Sequence, residues 1–302
     1  MLFEIMDINS IEKSYLSNGY VVIRDFLPKK VLEKLKISLA GHTSNQLNKH
    51  GLENITDPLN KGLIELNKIR ADKTKFDSVQ VIYNTIRKLP ELFELITNED
   101  LIRIVKRLSG LETINSSISP YIWEAFCRID PPQDKTFDLK WHQESYFTLP
   151  NSNSVQLWAP VINDVNLKDT GTIAAITESH LKGELKHSIV RHNDNYISES
   201  ITDDKIGNLD KNKEIFSLNV GDVLLFHENL IHKTLTNVGH KVRYTMIANY
   251  SNPCLYDFKF MSESEVIAYH KLRTDNAQEF PRFIEKYSSK GGVKSFSQDE
   301  IN

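Results

Sequence analysis

The stretch "DVLLFHENLIHKTL" (residues 222–235) holds four apolar residues in a row, a polar break, and a histidine followed two places later by a threonine. Apolar runs this short, bounded by turn-forming residues, read as buried strands rather than helices. Pieces of the same texture lie on both sides: "YIWEAFCRI" (121–129), "LKWHQESYFTL" (139–149), "SVQLWAPVI" (154–162), "GTIAAI" (171–176), "KEIFSLNV" (213–220) and "VRYTMIANY" (242–250). Polar or glycine-bearing turns separate them, which predicts a barrel or double-sheet β architecture.

Upstream of residue 111 the period changes. "IEKSYLSNGYVVIRDFL" (11–27) reads as a short helix, a turn at Asn18-Gly19 and a strand from Tyr20 to Ile23. Pro28 opens a helix whose Val31, Leu32, Leu35 and Leu39 line one face. "DSVQVIYNTIRKLPELFELI" (77–96) and "NEDLIRIVKRLSGL" (98–111) continue in helical register, the second started by Asn98 or Glu99 and ended by Gly110. The punctuated segment 44–62 is expected to be a long loop. The fold class is therefore α+β, in one domain: residues 1–111 mainly helical, 112–252 the β core, and 253–302 a helical tail that includes "SESEVIAYHKLR" (262–273). The long polar stretch at about 181–213 is expected to be a lid-like insertion within the core.

Bulk composition narrows the function classes. The chain is 40% hydrophobic and 25% charged, with a formal net charge of −3 and no basic cluster of the kind nucleic acid or an anionic membrane requires. Cys127 and Cys254 form no C-x-x-C pattern and no disulfide framework. The first ten residues lack a basic region before an apolar one, and no apolar run approaches the ~20 residues of a membrane span. These features point to a soluble, cytoplasmic protein acting on a small molecule, and they carry no signal for an oligomeric state.

The chemistry begins with His142 and Glu144. Two apart in a strand, they project to one face of the sheet. Alone, such a pair is an ordinary core or surface contact. His232 supplies a second imidazole, and two histidines with one carboxylate form a facial triad that leaves sites open on an octahedral metal. That arrangement suits ferrous iron where a cosubstrate and dioxygen must both bind. Arg243, eleven residues after His232, can form a bidentate pair with the carboxylate of an acid, although a plain surface ion pair is the competing reading. His227 competes with His232 for the ligand role, and five residues of separation put the two on opposite faces of a strand. His187 and His192 fall in the polar stretch and are expected at the surface; His180 is expected to be structural.

Taken together, "NGYVVIRDFL", "WHQE", "GT" followed by "ESH", "GDVLLFHENLIHKT", "TN" and "VRYTMIANY" resemble the phytanoyl-CoA dioxygenase family of iron(II)- and 2-oxoglutarate-dependent oxygenases. The likeness runs from about Asn18 to Tyr250. It implies a double-stranded β-helix, also called a jelly roll or cupin-like core, with helices packed on it. By the resemblance, His142, Glu144 and His232 fall on the metal ligands, Arg243 on the group that binds the far carboxylate of 2-oxoglutarate, and Thr234 on a hydroxyl that assists it. Gln143 and Trp158 fall where the family lines its pocket. The implied cofactors are Fe(II), 2-oxoglutarate and O2. The implied reaction is hydroxylation of an unactivated C–H of a small metabolite, with release of succinate and CO2.

One position departs from the family pattern. Glu144 stands where most members carry Asp, one methylene longer yet still an oxygen donor. A carboxylate there also argues against halogenation, since halogenases resembling this family leave that ligand out. No signature for coenzyme A is present, so an amino acid or a biosynthetic intermediate is a better expectation than an acyl-CoA. Desaturation and ring closure stay open as outcomes. Two other readings share the fold: a cupin-like isomerase or lyase that does not use 2-oxoglutarate, and a non-catalytic binding protein.

Overall fold

A glycine decides where the first helix stops. In the computed structural model, which describes residues 7–70, 72, 75–134, 139–148, 152–193, 196–262, 265 and 274, α1 (Ile8–Asn18) is capped at its start by the Asp7 carboxylate. It ends at Gly19, whose φ of 84° is the left-handed cap that a glycine adopts without strain. The chain then turns directly into β1 (Tyr20–Ile23). Six helices follow: α2 (Lys29–Asn48), α3 (Leu63–Arg70), α4 (Ser78–Ile86), α5 (Pro90–Ile96), α6 (Glu99–Leu108) and α7 (Leu111–Asn115). Asn98 caps α6 by accepting from the Leu101 N–H, the helix start expected from the sequence. Segment 44–62 is more ordered than expected, because α2 runs on to Asn48 and residues 58–62 form a π-helical turn leading into α3.

The β core comprises β2 (Tyr121–Asp130), β3 (Val155–Pro160), β4 (Ile173–Ile176), β5 (Ser188–Asn193), β6 (Tyr196–Ser200), β7 (Lys213–Ile215), β8 (Val223–His227), β9 (His232–Thr234) and β10 (Arg243–Ser251). Five strands form one antiparallel sheet in the order β1-β8-β3-β10-β2, and three form another in the order β7-β4-β9. This is the helix-buttressed double-stranded β-helix.

Register settles which side chains face inward. Asn249 pairs with Gln156 and Ile247 with Trp158 across β10 and β3, while Gln156 and Trp158 pair with Phe226 and Leu224 across β3 and β8. Paired residues share a face, and alternate residues along each strand repeat it. The opposite set, including Leu157, Ala159, Leu225, Tyr244, Met246 and Ala248, packs on Leu35, Leu39, Leu95 and other helix residues in the largest buried cluster. Two tyrosines pin the helical layer to that face: Tyr244 Oη donates to the Leu59 carbonyl at 2.6 Å, and Tyr250 Oη to the Ile96 carbonyl at 2.7 Å. Trp158, Leu224 and Phe226 instead meet Ile173 and Ala175 of the small sheet.

Three sequence expectations change. "LKWHQESYFTL" is not a strand: His142 makes a single bridge to His232, and residues 144–146 turn into a 3-10 helix. The stretch 222–235 splits into β8 and β9, which belong to different sheets. The polar stretch at 181–213 is not an irregular loop, for it carries the β5–β6 hairpin and a short helix, α8 (Asp203–Ile206). Ile201 and Ile206 from this segment cover Trp141, Ala174, Ile176 and Ile231 on the outer side of the small sheet. Apolar positions spaced through a polar sequence gave too weak a periodic signal for that packing to be read. Of the expected helical tail, residues 263–264 and 266–302 lie outside the described residues, Thr274 excepted. No helix among the described residues is long and apolar enough to cross a membrane.

The helical layer and the large sheet share one core, so a hole in the layer should be felt globally. Leu35 is fully buried between α2, α5 and the sheet. Leu35→Ala is expected to lower unfolding stability by about 2–5 kcal/mol, read from the midpoint of a urea titration. A loss below about 1 kcal/mol would mean that the helices can relax around the cavity without disturbing the sheet.

Candidate functional site

Two backbone hydrogen bonds build the site. His142 N–H donates to the His232 carbonyl and His232 N–H to the His142 carbonyl, both at 3.0 Å. This exchange sets the two imidazoles side by side, with ring centroids 4.2 Å apart. Gln143 between them and Glu144 is extended (φ −123°, ψ 141°), so two residues on the chain points back to the same side although no strand continues. The 3-10 turn that starts at Glu144 then lets the longer side chain reach inward. Its Oε1 lies 3.6 Å from His142 Nε2 and 3.4 Å from His232 Nε2. One donor atom from each of the three residues falls within 4.8 Å of the others.

The protonation pattern is that of a metal site. His142 Nδ1 lies 2.6 Å from the Lys140 carbonyl and His232 Nδ1 2.9 Å from the Leu230 carbonyl. Each Nδ1–H therefore donates to backbone, which leaves each Nε2 lone pair aimed at the shared centre. His142 Nε2 is buried and has no hydrogen-bond partner, an arrangement that costs free energy unless a ligand occupies the lone pair. Burial, with the neighbouring His142, lowers the His232 pKa and favours neutral imidazole, against the pull of Glu144. Burial alone would raise Glu144; hydrogen bonding and positive charge at His142 and His232 oppose it and hold the carboxyl well below the usual carboxylate range, a pull that a proton among the three groups supplies and a bound cation would replace. Neutral imidazoles and an ionised carboxylate are the forms that bind a divalent cation. His142 and His232 are 1% and 3% exposed, whereas the Glu144 side chain keeps 19%, so the cluster is closed behind and open in front. The residues fit iron(II).

A second cluster lies where β2 and β10 run side by side. Arg243 donates through Nε (3.1 Å) and Nη2 (3.0 Å) to the Asp130 carboxylate, and through Nη1 to the Leu235 carbonyl at 2.9 Å. Both Nε and Nη2 converge on one Asp130 oxygen, Oδ2. Arg128 Nε donates to the other Asp130 oxygen at 2.8 Å, and its Nη1 reaches Thr234 Oγ1 at 3.3 Å. Both guanidinium groups are more than nine-tenths buried. Gly171, of the "GT" pair, explains itself here: at φ 64° its missing side chain would stand 2.8 Å from Arg243 Nη1 and 2.6 Å from the Thr236 carbonyl. Sequence reasoning passed over Arg128 and Asp130. Their signal was present, since Arg128 and Asp130, two apart in "YIWEAFCRID", carry opposite charges on one face of a strand that is apolar apart from them and Glu124.

The remaining candidates divide. Trp158 faces inward with Phe226, whose ring lies 4.6 Å from that of His232. Gln143 does not join the triad. Its amide nitrogen donates to the Gly183 and Asn229 carbonyls (2.9 and 2.7 Å), and its oxygen accepts from Leu185 N–H (2.7 Å), so it ties loops together on the far side. His227 points to the helical side, near Tyr15 and His180, and is structural as expected. His187 corrects its expectation of exposure: it is fully buried, stacks on Tyr146 at 4.3 Å and accepts from Gln143 N–H at 3.1 Å. The side chain of His192 lies outside the described residues. Three polar residues were not anticipated: Gln156 and Asn249 on the inner face, and Glu228 just beyond the end of β8, where its charge also reaches Tyr15. Burial pushes the Glu228 carboxyl up to about 7, against hydrogen bonds from Ser154 N–H (3.0 Å) and Ser152 Oγ (3.4 Å).

Residues 15–245 match the sequence profile of the phytanoyl-CoA dioxygenase (PhyH) family. No curated protein sequence matches the chain. Similar solved structures include EctD from S. alaskensis with 2-oxoglutarate and 5-hydroxyectoine, at 14% identity over 83% of this chain and 78% of that one, with a TM-score of 0.54. The apo non-heme monooxygenase ThoJ has 13% identity over 93% and 100%, with a TM-score of 0.52. The non-heme alpha ketoglutarate dependent carbocyclase SnoK from nogalamycin biosynthesis has 17% identity over 80% and 83%, with a TM-score of 0.50. At these identities the structural likeness speaks to the fold.

The raised Glu228 carboxyl has a pH signature. An acid whose pKa rises on folding penalises the folded state increasingly as pH climbs from 4.5, its ordinary value, through about 7. Glu228→Gln removes that penalty. The variant is expected to melt above the parent at pH 8 and to converge with it near pH 5, as thermal unfolding at the two pH values will read. An advantage that does not change with pH would exclude burial of the charge as its source.

Proposed function

The chain belongs to the phytanoyl-CoA dioxygenase family of non-haem iron(II)- and 2-oxoglutarate-dependent oxygenases, and from that premise we propose that it hydroxylates an unactivated C–H of a small metabolite at the His142–Glu144–His232 cluster. The observation that carries this reading is the buried, unpartnered Nε2 of His142 beside Glu144 and His232. Its cofactors are Fe(II), 2-oxoglutarate and O2, which together supply the oxidising power, with succinate and CO2 released.

The chain's own residues have three tasks. His142, Glu144 and His232 hold the metal from one side and leave the opposite side for the cosubstrate and dioxygen. Arg243, Arg128 and Thr234 receive the far carboxylate of 2-oxoglutarate. The two guanidinium groups converge on the one Asp130 carboxylate, and their positive charge favours an anionic group at this end of the face. Asp130 holds both planes in place before the cosubstrate arrives, so orientation is settled in advance. Trp158, Phe226 and Ile247 supply an apolar wall that keeps water from the reacting carbon. An amino acid or biosynthetic intermediate is a better substrate expectation than an acyl-CoA, for which the sequence carries no recognition signature.

Anaerobic addition of iron(II) and then 2-oxoglutarate to metal-free protein should produce a visible metal-to-ligand charge-transfer band. His142→Ala and His232→Ala should abolish both the band and succinate formation, and substantial retained turnover in either would remove the triad from the mechanism. Arg243→Ala and Arg128→Ala should each raise the 2-oxoglutarate concentration needed for half the band by at least tenfold, roughly the worth of one charge-assisted hydrogen bond. A normal requirement in both variants would place the far carboxylate elsewhere.

A further inference from the structure

The inner face of the large sheet is polarised from end to end. Arg243 opens β10, opposite Asp130, and Arg128 is paired with Thr245 two residues on. Asn249 lies six residues beyond Arg243 on the same strand and the same face, roughly 20 Å away at ~3.4 Å per residue. Trp158 and Ile247 occupy the middle. One end of the face is thus cationic, and the other is lined by acceptors.

Gln156 and Asn249 stand directly opposite each other at that second end. They are 1% and 3% exposed, and their amide oxygens have no hydrogen-bond partner. Glu228 continues the row. Its N–H donates to the Ser154 carbonyl at 3.3 Å, two residues along from the Gln156–Phe226 pair, and Phe226 faces His232. Ser154 joins the two: its N–H donates to Glu228 Oε2 at 3.0 Å and its hydroxyl accepts from Gln156 Nε2 at 2.7 Å. No lysine, arginine or histidine among the described residues forms an ion pair with Glu228. Glu124, opposite Asn249 on β2, is already paired with Arg87 at 3.6 Å. A carboxylate without such a pair, near two unpartnered amide oxygens, is a site for a donor that brings its own charge.

We propose that Glu228, Gln156 and Asn249 form a subsite for a protonated amine, and that the substrate is a small amine-bearing molecule whose ammonium is anchored there. An ammonium offers three N–H donors and one positive charge, against two unpartnered amide oxygens and one carboxylate. The raised Glu228 carboxyl is the free-protein counterpart of the missing cation. The inference rests on the oxygenase reading above. The cosubstrate's far carboxylate takes the cationic end, and the substrate's cation takes the other.

The test uses full-length protein loaded anaerobically with iron(II) and 2-oxoglutarate. It is titrated with L-lysine, L-ornithine, putrescine and ethanolamine, and with the fully N-acetylated form of each. A free amine should perturb the charge-transfer band, with at least tenfold weaker response from its acetylated form. Glu228→Gln should keep the band but respond to the amine at least tenfold more weakly, and Asn249→Leu should do the same if Glu228→Gln fails to fold. Equal response to amine and acetylated amine, no response to any amine, or an unchanged response in both variants overturns the proposal. Absence of the band in the parent protein overturns the oxygenase reading instead. Thermal stabilisation of metal-free protein by the same amines then reads the subsite alone: stabilisation that Glu228→Gln removes supports it, and no stabilisation refutes it.

Discussion

A pair of backbone hydrogen bonds between His142 and His232 holds the site together. Everything else about the triad follows from it. The segment before Glu144 belongs to neither sheet, and without this bridge nothing would bring its imidazole to the one on β9. Once the bridge is made, the extended Gln143 returns Glu144 to the same side, and the carbonyls of Lys140 and Leu230 fix both imidazole tautomers. The side chain of Gln143, turned the other way, ties the bridge to the loops at Gly183, Leu185 and Asn229. The residue between two candidate metal ligands serves as a brace.

The charge economy of the inner face is equally constrained. Asp130 is shared by two buried guanidinium groups, and each arginine also finds carbonyl or hydroxyl acceptors. Gly171 belongs to the same construction, since any side chain there would collide with Arg243. At the opposite end Glu228 accepts from the Ser154 N–H and the Ser152 hydroxyl, with the Thr148 hydroxyl beside them. Under the reading proposed above, the cosubstrate's far carboxylate takes the arginine end of this face and the substrate's ammonium the end at Glu228.

The departure from Asp to Glu in the triad has a local answer. An extra methylene would overshoot if residue 144 stayed in a strand. The chain instead enters a 3-10 turn at that residue, and Oε1 comes within 3.6 Å of both Nε2 atoms.

The sequence by itself determined the helix-then-strand order, a helix start at Asn98 or Glu99, the turn at Gly19, and the identities of the three side chains that converge. These are local properties: capping, short apolar runs and spacing along one chain. Tertiary structure decided the rest. Only pairing between sheets could separate β8 from β9, bury His187, and turn Gln143 away from the triad. Arg128, Asp130, Gln156, Asn249 and Glu228 acquire roles because strands distant in sequence set them on one face, and register between strands is a property of the folded sheet. The physical reason is range. A spacing of two or five residues fixes direction within a strand, whereas the partner that satisfies a buried charge or amide comes from wherever the fold brings it.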